Sequence, residues 1–252
     1  FERWMAILDQ VPNSVIWLLD YNTETNTRLR AAAETYGVSG DRLIFAKKVA
    51  NPRHLARYPL ADLFLDTAPY GAHTTASDAL WMGVPVLTYM GRSFASRVCA
   101  SLVRAAGAPE LITTSPDAFI ARAIALATTD RLGLQELRQR LIANRDTCAL
   151  FDIEGLARKL EALYAQMADE YRTGALPRPN LANLDAYLDI GVNIDHDSAE
   201  IGAAGDYHAI YRTALAARHY NTPMQADGRL WTENEIGAAE AAPIANPSSR
   251  AA

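Results

Sequence analysis

The most informative stretch of the chain is residues 66–88, DTAPYGAHTTASDALWMGVPVLT. It follows an apolar run, Leu63-Phe64-Leu65, and has the order strand, glycine-containing loop, helix and strand. We expect the helix to begin near Thr74, where its first N–H groups have no partner within the helix and carry a partial positive charge. Gly71 would let the loop backbone come close to a ligand. This layout is typical of a phosphate-binding site and would suit a nucleoside diphosphate.

Apolar strand candidates alternate with helical patterns through much of the chain. Strands are predicted at 14–19, 43–46, 63–66, 85–89 and 111–113, and helices at 26–36, 52–57, 94–106, 118–127, 132–144 and 155–171. This alternation predicts an α/β fold, a Rossmann-like parallel sheet flanked by helices. Ligands of such sheets bind outside the carboxyl ends of the strands, so the loop after Ala46 should share one cleft with His73.

Composition excludes several classes of protein. The chain has 252 residues, 50% hydrophobic and 21% charged, which describes a globular protein with a sizeable core. A net charge of -5 without a basic stripe disfavours nucleic acid as a partner. No apolar run is long enough to predict a membrane span. With only Cys99 and Cys148 and no metal-ligand pattern, we expect a reducing, cytoplasmic location and no metal site.

The sequence changes character near Gly174. We predict a Rossmann-like lobe over residues 1–174 and an irregular, partly helical tail over 175–252. One amphipathic helix is expected in that tail, from Asp206 to Tyr220, and the segment from Glu233 onward lacks the apolar content that would offset its ordering entropy. The acidic run at 195–197 is interpreted as a solvated loop and not as a metal site.

Several motifs together resemble one family. The segment from Asp62 to Arg97, with its HTT and ASR motifs, resembles the carboxy-terminal catalytic half of O-linked N-acetylglucosamine transferases of the bacterial type. The resemblance extends upstream to VPNSVIWLL at 11–19 and downstream to Tyr171. It implies the carboxy-terminal lobe of a two-lobed GT-B glycosyltransferase. It also implies tetratricopeptide repeats in the complete protein, and we detect none here.

The resemblance also implies roles for individual residues. His73, Thr74 and Thr75 would stabilise the departing diphosphate as catalytic residues, and Asp78 would accept hydrogen bonds from the ribose. The substrate-binding residues Val49, Asn51, His54 and Arg57 would bind the base and its sugar, with His54 against the uracil ring and the backbone at Val49 reading the base edge. Animal members carry lysine where this chain has Asn51. The family's catalytic lysine is expected upstream of Phe1.

Each of these residues also has a purely structural interpretation. Thr75 and Asp78 have the spacing of a capping box, so they could serve only to satisfy the first N–H groups of a helix. Asn51-Pro52 resembles an N-cap followed by a first-turn proline. His54 and Arg57, three residues apart on one helical face, could simply be solvated.

The resemblance implies inverting, metal-independent transfer of N-acetylglucosamine from UDP-N-acetylglucosamine to Ser or Thr hydroxyls. The donor is a substrate, and no cofactor is expected. The expected partners are UDP or a UDP-sugar, a protein or peptide acceptor, and an amino-terminal catalytic lobe. Three alternatives remain open: a GDP-fucose-dependent protein O-fucosyltransferase, a UDP-sugar epimerase, and a catalytically weak sugar-nucleotide sensor.

Overall fold

A computed structural model describes residues 1–195 and 207–241. Within these residues the chain forms two compact units, one over 1–162 and one from Leu163 onward. The expected boundary between domains at residue 174 stays a prediction. None of the described helices is long and apolar enough to cross a membrane.

The first unit alternates strands and helices as the sequence predicts. Its strands are β1 (Ile16–Asp20), β2 (Leu43–Lys47), β3 (Phe64–Leu65), β4 (Val86–Tyr89) and β5 (Ile112–Thr113). Its helices are α1 (Glu2–Gln10), α2 (Thr23–Thr35), α3 (Asn51–Arg57), α4 (Thr74–Trp81), α5 (Phe94–Ala105), α6 (Pro116–Ala127) and α7 (Arg131–Asn144), followed by α8 (Ile153–Thr173), which begins in this unit.

All strand pairs are parallel, but they do not form the single sheet that the sequence predicts. β1 pairs with β2, with Ile16 opposite Leu43, and a separate sheet has the order β3-β4-β5. β3 is only two residues long and, among the described strands, pairs with β4 alone. Parallel strands flanked by helices nevertheless confirm the predicted Rossmann-like α/β class.

Burial around β4 explains why the predicted helix after His73 forms. All four residues of β4 are buried, as expected for a central parallel strand. Helix α4 packs small side chains, Ala76 and Ala79, into the same core. It ends at Trp81, and Gly83, two residues later, has a left-handed φ of +76°, which lets Val84 N donate to Ala79 O at 2.8 Å. The chain thus returns directly from α4 into β4.

The second unit contains more order than the sequence predicts. Its own helices are α9 (Leu184–Asn193), α10 (Tyr207–Asn221) and α11 (Glu233–Ala241), around a core that includes Leu215 and Trp231. The buried Asp227 carboxylate accepts hydrogen bonds from Asn183 Nδ2 at 3.1 Å and Arg229 N at 2.9 Å.

The sequence predicts one helix in the tail, whereas the described residues from 175 onward contain three, so that prediction is wrong. Helix α10 agrees with the expected helix, whose first residue, Asp206, lies outside the described residues. Helices α9 and α11 were not predicted. Alanine is a strong helix former although it contributes little apolar area, and α11 contains three alanines. Residues 242–252 and the acidic residues at 196–197 also lie outside the described residues.

Candidate functional site

A buried carboxylate anchors the loop between β3 and α4. Asp66, the residue after β3, is 5% exposed. Its Oδ1 accepts hydrogen bonds from Thr67 N at 2.8 Å and Ala72 N at 2.6 Å, and its Oδ2 accepts one from Thr88 Oγ1 at 2.6 Å. Both ends of the loop and the neighbouring strand β4 are thereby held by one side chain. Sequence reasoning did not include Asp66 among the site residues, although a carboxylate directly after a buried strand is a usable signal.

Gly71 is needed for packing inside the protein. A Cβ at this position would lie 3.2 Å from Asp66 Oδ2 and 3.2 Å from Ala95 O, which is tighter than ordinary contact. Gly71 N also donates to Ala95 O at 3.1 Å. The glycine in this loop predicts a close approach to a ligand, whereas the structure shows a close approach to α5 and Asp66. Gly71 therefore joins the loop to α5.

The N-terminus of α4 has no side-chain cap. His73 occupies the N-cap position, and no side chain there accepts a hydrogen bond from the first turn. The capping-box interpretation of Thr75 and Asp78 is therefore wrong, because the helix begins at Thr74 and places Thr75 inside its first turn. Thr74 and Thr75 are exposed at this end of the helix. The free N–H groups and the partial positive charge remain available to an anion.

His73 presents a polar atom without a protein partner. Its Nε2 is buried and has no hydrogen-bond partner among the described residues. Buried polar atoms are almost always paired, so an unpaired one at a helix N-terminus suggests a place for a ligand atom. A cavity of about 290 Å³ adjoins it. That cavity is lined by Phe64, Leu65, Asp66, Thr67, Tyr70, Gly71, Ala72, His73 and Thr75.

A second group of predicted site residues lies on α3. Arg57 Nη2 donates to His54 Nδ1 at 2.9 Å, and Arg57 Nη1 donates to Lys47 O at 3.0 Å at the end of β2. The Arg57 guanidinium also lies over the Trp17 ring, 5.5 Å from its centroid. Because Nδ1 accepts from arginine, a neutral His54 imidazole carries its proton on Nε2. Arg57 thus orients His54, and neither side chain is merely solvated.

Asn51 does not cap α3, contrary to one of the sequence interpretations. The N-cap residue is Ala50, Asn51 is the first residue of the helix, and Pro52 is the second. A proline in the first turn is compatible with this arrangement because the first N–H groups need no partner in the helix. Asn51 is exposed, and Val49 is half-buried in the segment before α3.

Tyr58 connects the two groups. Its hydroxyl donates to Thr75 O at 3.3 Å, and its ring meets the His54 ring edge-on with centroids 5.0 Å apart. Burial raises the pKa of Tyr58, and the negative charge of Asp78 raises it further. Tyr58 therefore links His54 on α3 with Thr75 on α4, and it lies near enough to Asp78 for that charge to affect it. Tyr58 was missed because no local pattern shows a contact between two helices.

A buried thiol borders the same loop. Burial raises the pKa of Cys99, and the neighbouring Asp66 carboxylate raises it further, so the thiol is protonated at neutral pH. Cys99 and Cys148 are not joined in a disulfide. Within residues 1–195 and 207–241 no group of three His, Cys, Asp or Glu side chains could hold a metal ion.

Removing the Asp66 carboxylate should loosen the loop. We expect Asp66→Ala to lower the free energy of unfolding by about 1–2 kcal/mol, because Thr88 Oγ1 and two loop N–H groups lose their acceptor. Asp66→Asn should lower it less, because the amide oxygen can still accept from Thr67 N and Ala72 N. Urea denaturation of both variants measures the difference. Equal losses for Ala and Asn would contradict the role of the loop N–H groups.

Comparison with known proteins agrees with this geometry. The family model described as "Glycosyl transferase family 41" matches residues 1–160. The chain is 33% identical over 182 residues to UDP-N-acetylglucosamine--peptide N-acetylglucosaminyltransferase of Caenorhabditis elegans, covering 72% of this chain and 16% of the relative. It is 37% identical over 176 residues to the probable enzyme of that name, SEC, of Arabidopsis thaliana, covering 69% of this chain and 18% of the relative.

A solved structure shows the same fold. It is a mutant of the O-GlcNAc transferase of Thermobaculum terrenum, 34% identical, with a TM-score of 0.62 over 66% of this chain and 32% of that one. The chain thus spans less than one fifth of the two curated relatives and about one third of the solved chain. The predicted GT-B lobe and the resemblance to O-linked N-acetylglucosamine transferases are confirmed. The chain belongs to glycosyl transferase family 41.

Proposed function

We propose that this chain is the nucleotide-sugar-binding lobe of an inverting, metal-independent glycosyltransferase that moves N-acetylglucosamine from UDP-N-acetylglucosamine to Ser or Thr hydroxyls of proteins. The observation that carries the proposal is the uncapped N-terminus of α4, where the unpaired His73 Nε2 adjoins a cavity of about 290 Å³. The names of the relatives support this donor and a peptide acceptor.

The diphosphate would lie at the start of α4. As the glycosidic bond breaks, negative charge grows on the departing phosphate oxygens. The helix N–H groups, the Thr74 and Thr75 hydroxyls and the N–H of His73, in the tautomer with its proton on Nε2, are donors that can meet this charge. Their preorganisation by the anchored loop means that little rearrangement is needed during the reaction. This lobe would therefore contribute electrostatic stabilisation of the leaving group.

The nucleoside would extend from α4 towards α3. Asp78 lies one turn beyond Thr74 on α4, and its negative charge raises the pKa of Tyr58, the residue that follows α3. There it could accept hydrogen bonds from the ribose hydroxyls. His54, held by Arg57, would contact the uracil ring, with the backbone at Val49 reading the base edge and Asn51 beside the ribose.

The remaining components would come from outside this chain. An amino-terminal catalytic lobe would contribute the acceptor cleft and the catalytic lysine, and tetratricopeptide repeats would precede it. No cofactor or nucleic acid is required by this chemistry. The two unpaired cysteines agree with a reducing, cytoplasmic location.

The nucleotide preference tests the proposal directly. In the full-length protein we expect UDP to bind at least tenfold more tightly than GDP, because a uracil edge contact and a ring contact with His54 together are worth about 1.4 kcal/mol. Isothermal titration calorimetry with both nucleotides measures the ratio. Equal affinities would overturn the uridine assignment, and tighter binding of GDP would favour the fucosyltransferase alternative.

Turnover separates a transferase from a sensor. Incubation of the full-length protein with UDP-N-acetylglucosamine and candidate acceptor proteins should yield proteins heavier by one N-acetylhexosamine, detected by mass spectrometry. Tight UDP binding without any glycosylated product would favour the catalytically weak sensor.

A further inference from the structure

Three aromatic side chains form a cluster beside the cavity, and two of them, Tyr70 and His73, line it. The Tyr70 ring stacks on the His73 ring, with centroids 5.0 Å apart and planes inclined by 24°. Phe94, the first residue of α5, meets His73 edge-on from another side, with centroids 6.3 Å apart and planes at 89°. We call Tyr70, His73 and Phe94 the aromatic shelf.

The outer rings of the aromatic shelf are open to solvent. Tyr70 is 64% exposed and Phe94 is 81% exposed. Aromatic rings that serve only to pack a loop are normally buried, because exposure forfeits the stabilisation that their large apolar area would provide. Two exposed rings beside an unpaired polar atom and a cavity are typical of a ligand site.

The aromatic shelf adjoins the place proposed for the phosphates. His73 belongs to both, because its Nε2 is the unpaired atom at the start of α4 and its ring is the middle of the stack. Tyr70 and Thr75 line the same cavity. A sugar bonded to a terminal phosphate at His73 and Thr75 would therefore reach Tyr70 without a spacer.

We propose that the aromatic shelf binds the apolar face of the donor's sugar ring and so makes the sugar, as well as the nucleotide, contribute to binding. This inference rests on the proposed function. One face of a pyranose presents a patch of C–H groups, and the electron-rich face of an aromatic ring attracts such weakly positive hydrogens while both surfaces leave water. Tyr70 supplies the binding surface, and Phe94 limits the movement of His73 from the other side.

The experiment compares UDP with UDP-N-acetylglucosamine in the absence of acceptor. Dissociation constants are measured calorimetrically for the full-length protein and for its Tyr70→Ala, Tyr70→Phe and Tyr171→Ala variants. We expect Tyr70→Ala to weaken binding of the UDP-sugar about five- to tenfold and that of UDP less than twofold. Tyr70→Phe keeps the ring and should bind as the parent does. Tyr171→Ala, which removes an exposed tyrosine of α8, should change neither constant.

The possible results separate this inference from the function on which it rests. If the parent binds UDP but Tyr70→Ala leaves both constants unchanged, the aromatic shelf does not touch the sugar and only this inference fails. If Tyr70→Ala weakens UDP and UDP-N-acetylglucosamine by the same factor, Tyr70 acts by holding His73, and the inference also fails. If the parent binds neither ligand, the proposed function fails together with it.

Discussion

Replacing Thr74 and Thr75 together with Val in the full-length protein should lower kcat with UDP-N-acetylglucosamine by about 100-fold while raising KM less than fivefold. Valine keeps the shape and branching of threonine but removes both hydroxyl donors. Charge on the diphosphate is greater in the transition state than in the bound substrate, so lost donors cost about 3 kcal/mol at the transition state and less in the ground state. Steady-state kinetics with a protein acceptor measures both constants.

A matched substitution controls for the loss of a helical threonine as such. Thr128 lies at the C-terminal end of α6, where its hydroxyl donates to Ile124 O at 2.7 Å. Thr128→Val should leave kcat and KM unchanged. If the double variant melts at the parental temperature and turns over at the parental rate, Thr74 and Thr75 only shape the loop. The leaving group would then depend on the helix N–H groups and on residues outside this chain.

The position of the phosphate-binding helix was predictable because its signals are local. An apolar strand, a glycine loop and a helical pattern follow each other within residues 63–81, and α4 begins at Thr74 as expected. The absence of a side-chain cap at its N-terminus was not predictable. The loop before α4 is held by Asp66 and by Ala95, and a helix whose entry is fixed by such tertiary bonds needs no side-chain cap.

The relation between α3 and α4 was predictable only at the level of the fold. Parallel strands bring the loops at their carboxyl ends to one edge, so the alternation of elements predicts that α3 and α4 lie near each other. The cavity beside His73 is nevertheless lined by residues 64–75 and by none of α3, so the predicted shared cleft stays a prediction. The contacts made there depend on Tyr58, which reaches Thr75 O from another helix. Side-chain contacts across 17 positions of sequence leave no periodic signal. The roles of the predicted site residues in binding and catalysis stay predictions.

The second unit was underestimated for a different reason. Its core is small and depends on one tryptophan, Trp231, together with Leu215 on α10 and Ala186 on α9. Hydrophobic periodicity in α11 is weak because alanine and glutamate dominate it. Short helices of this kind gain most of their stability from tertiary packing, which a single sequence does not show.

Asp78→Ala should weaken UDP binding by about tenfold to 100-fold without lowering the melting temperature appreciably. The carboxylate would lose its hydrogen bonds to the ribose, and hydrogen bonds to a charged group are worth about 1.5–3 kcal/mol. Stability should change little because Asp78 takes no part in capping α4. Calorimetric titration with UDP and thermal unfolding on the same sample measure both quantities.

Two comparisons make this test specific to the ribose. The parent should bind UDP more tightly than 2′-deoxy-UDP or 3′-deoxy-UDP, and Asp78→Ala should remove at least one of these preferences, because the lost acceptor is the group that distinguishes the sugars. Asp117→Ala removes an exposed acid from the first turn of α6 and should lower stability by at most about 1 kcal/mol with no effect on UDP binding. If Asp78→Ala instead lowers the melting temperature and leaves UDP affinity and both ribose preferences intact, then Asp78 stabilises the contact between α4 and Tyr58. The ribose would in that case be recognised from elsewhere.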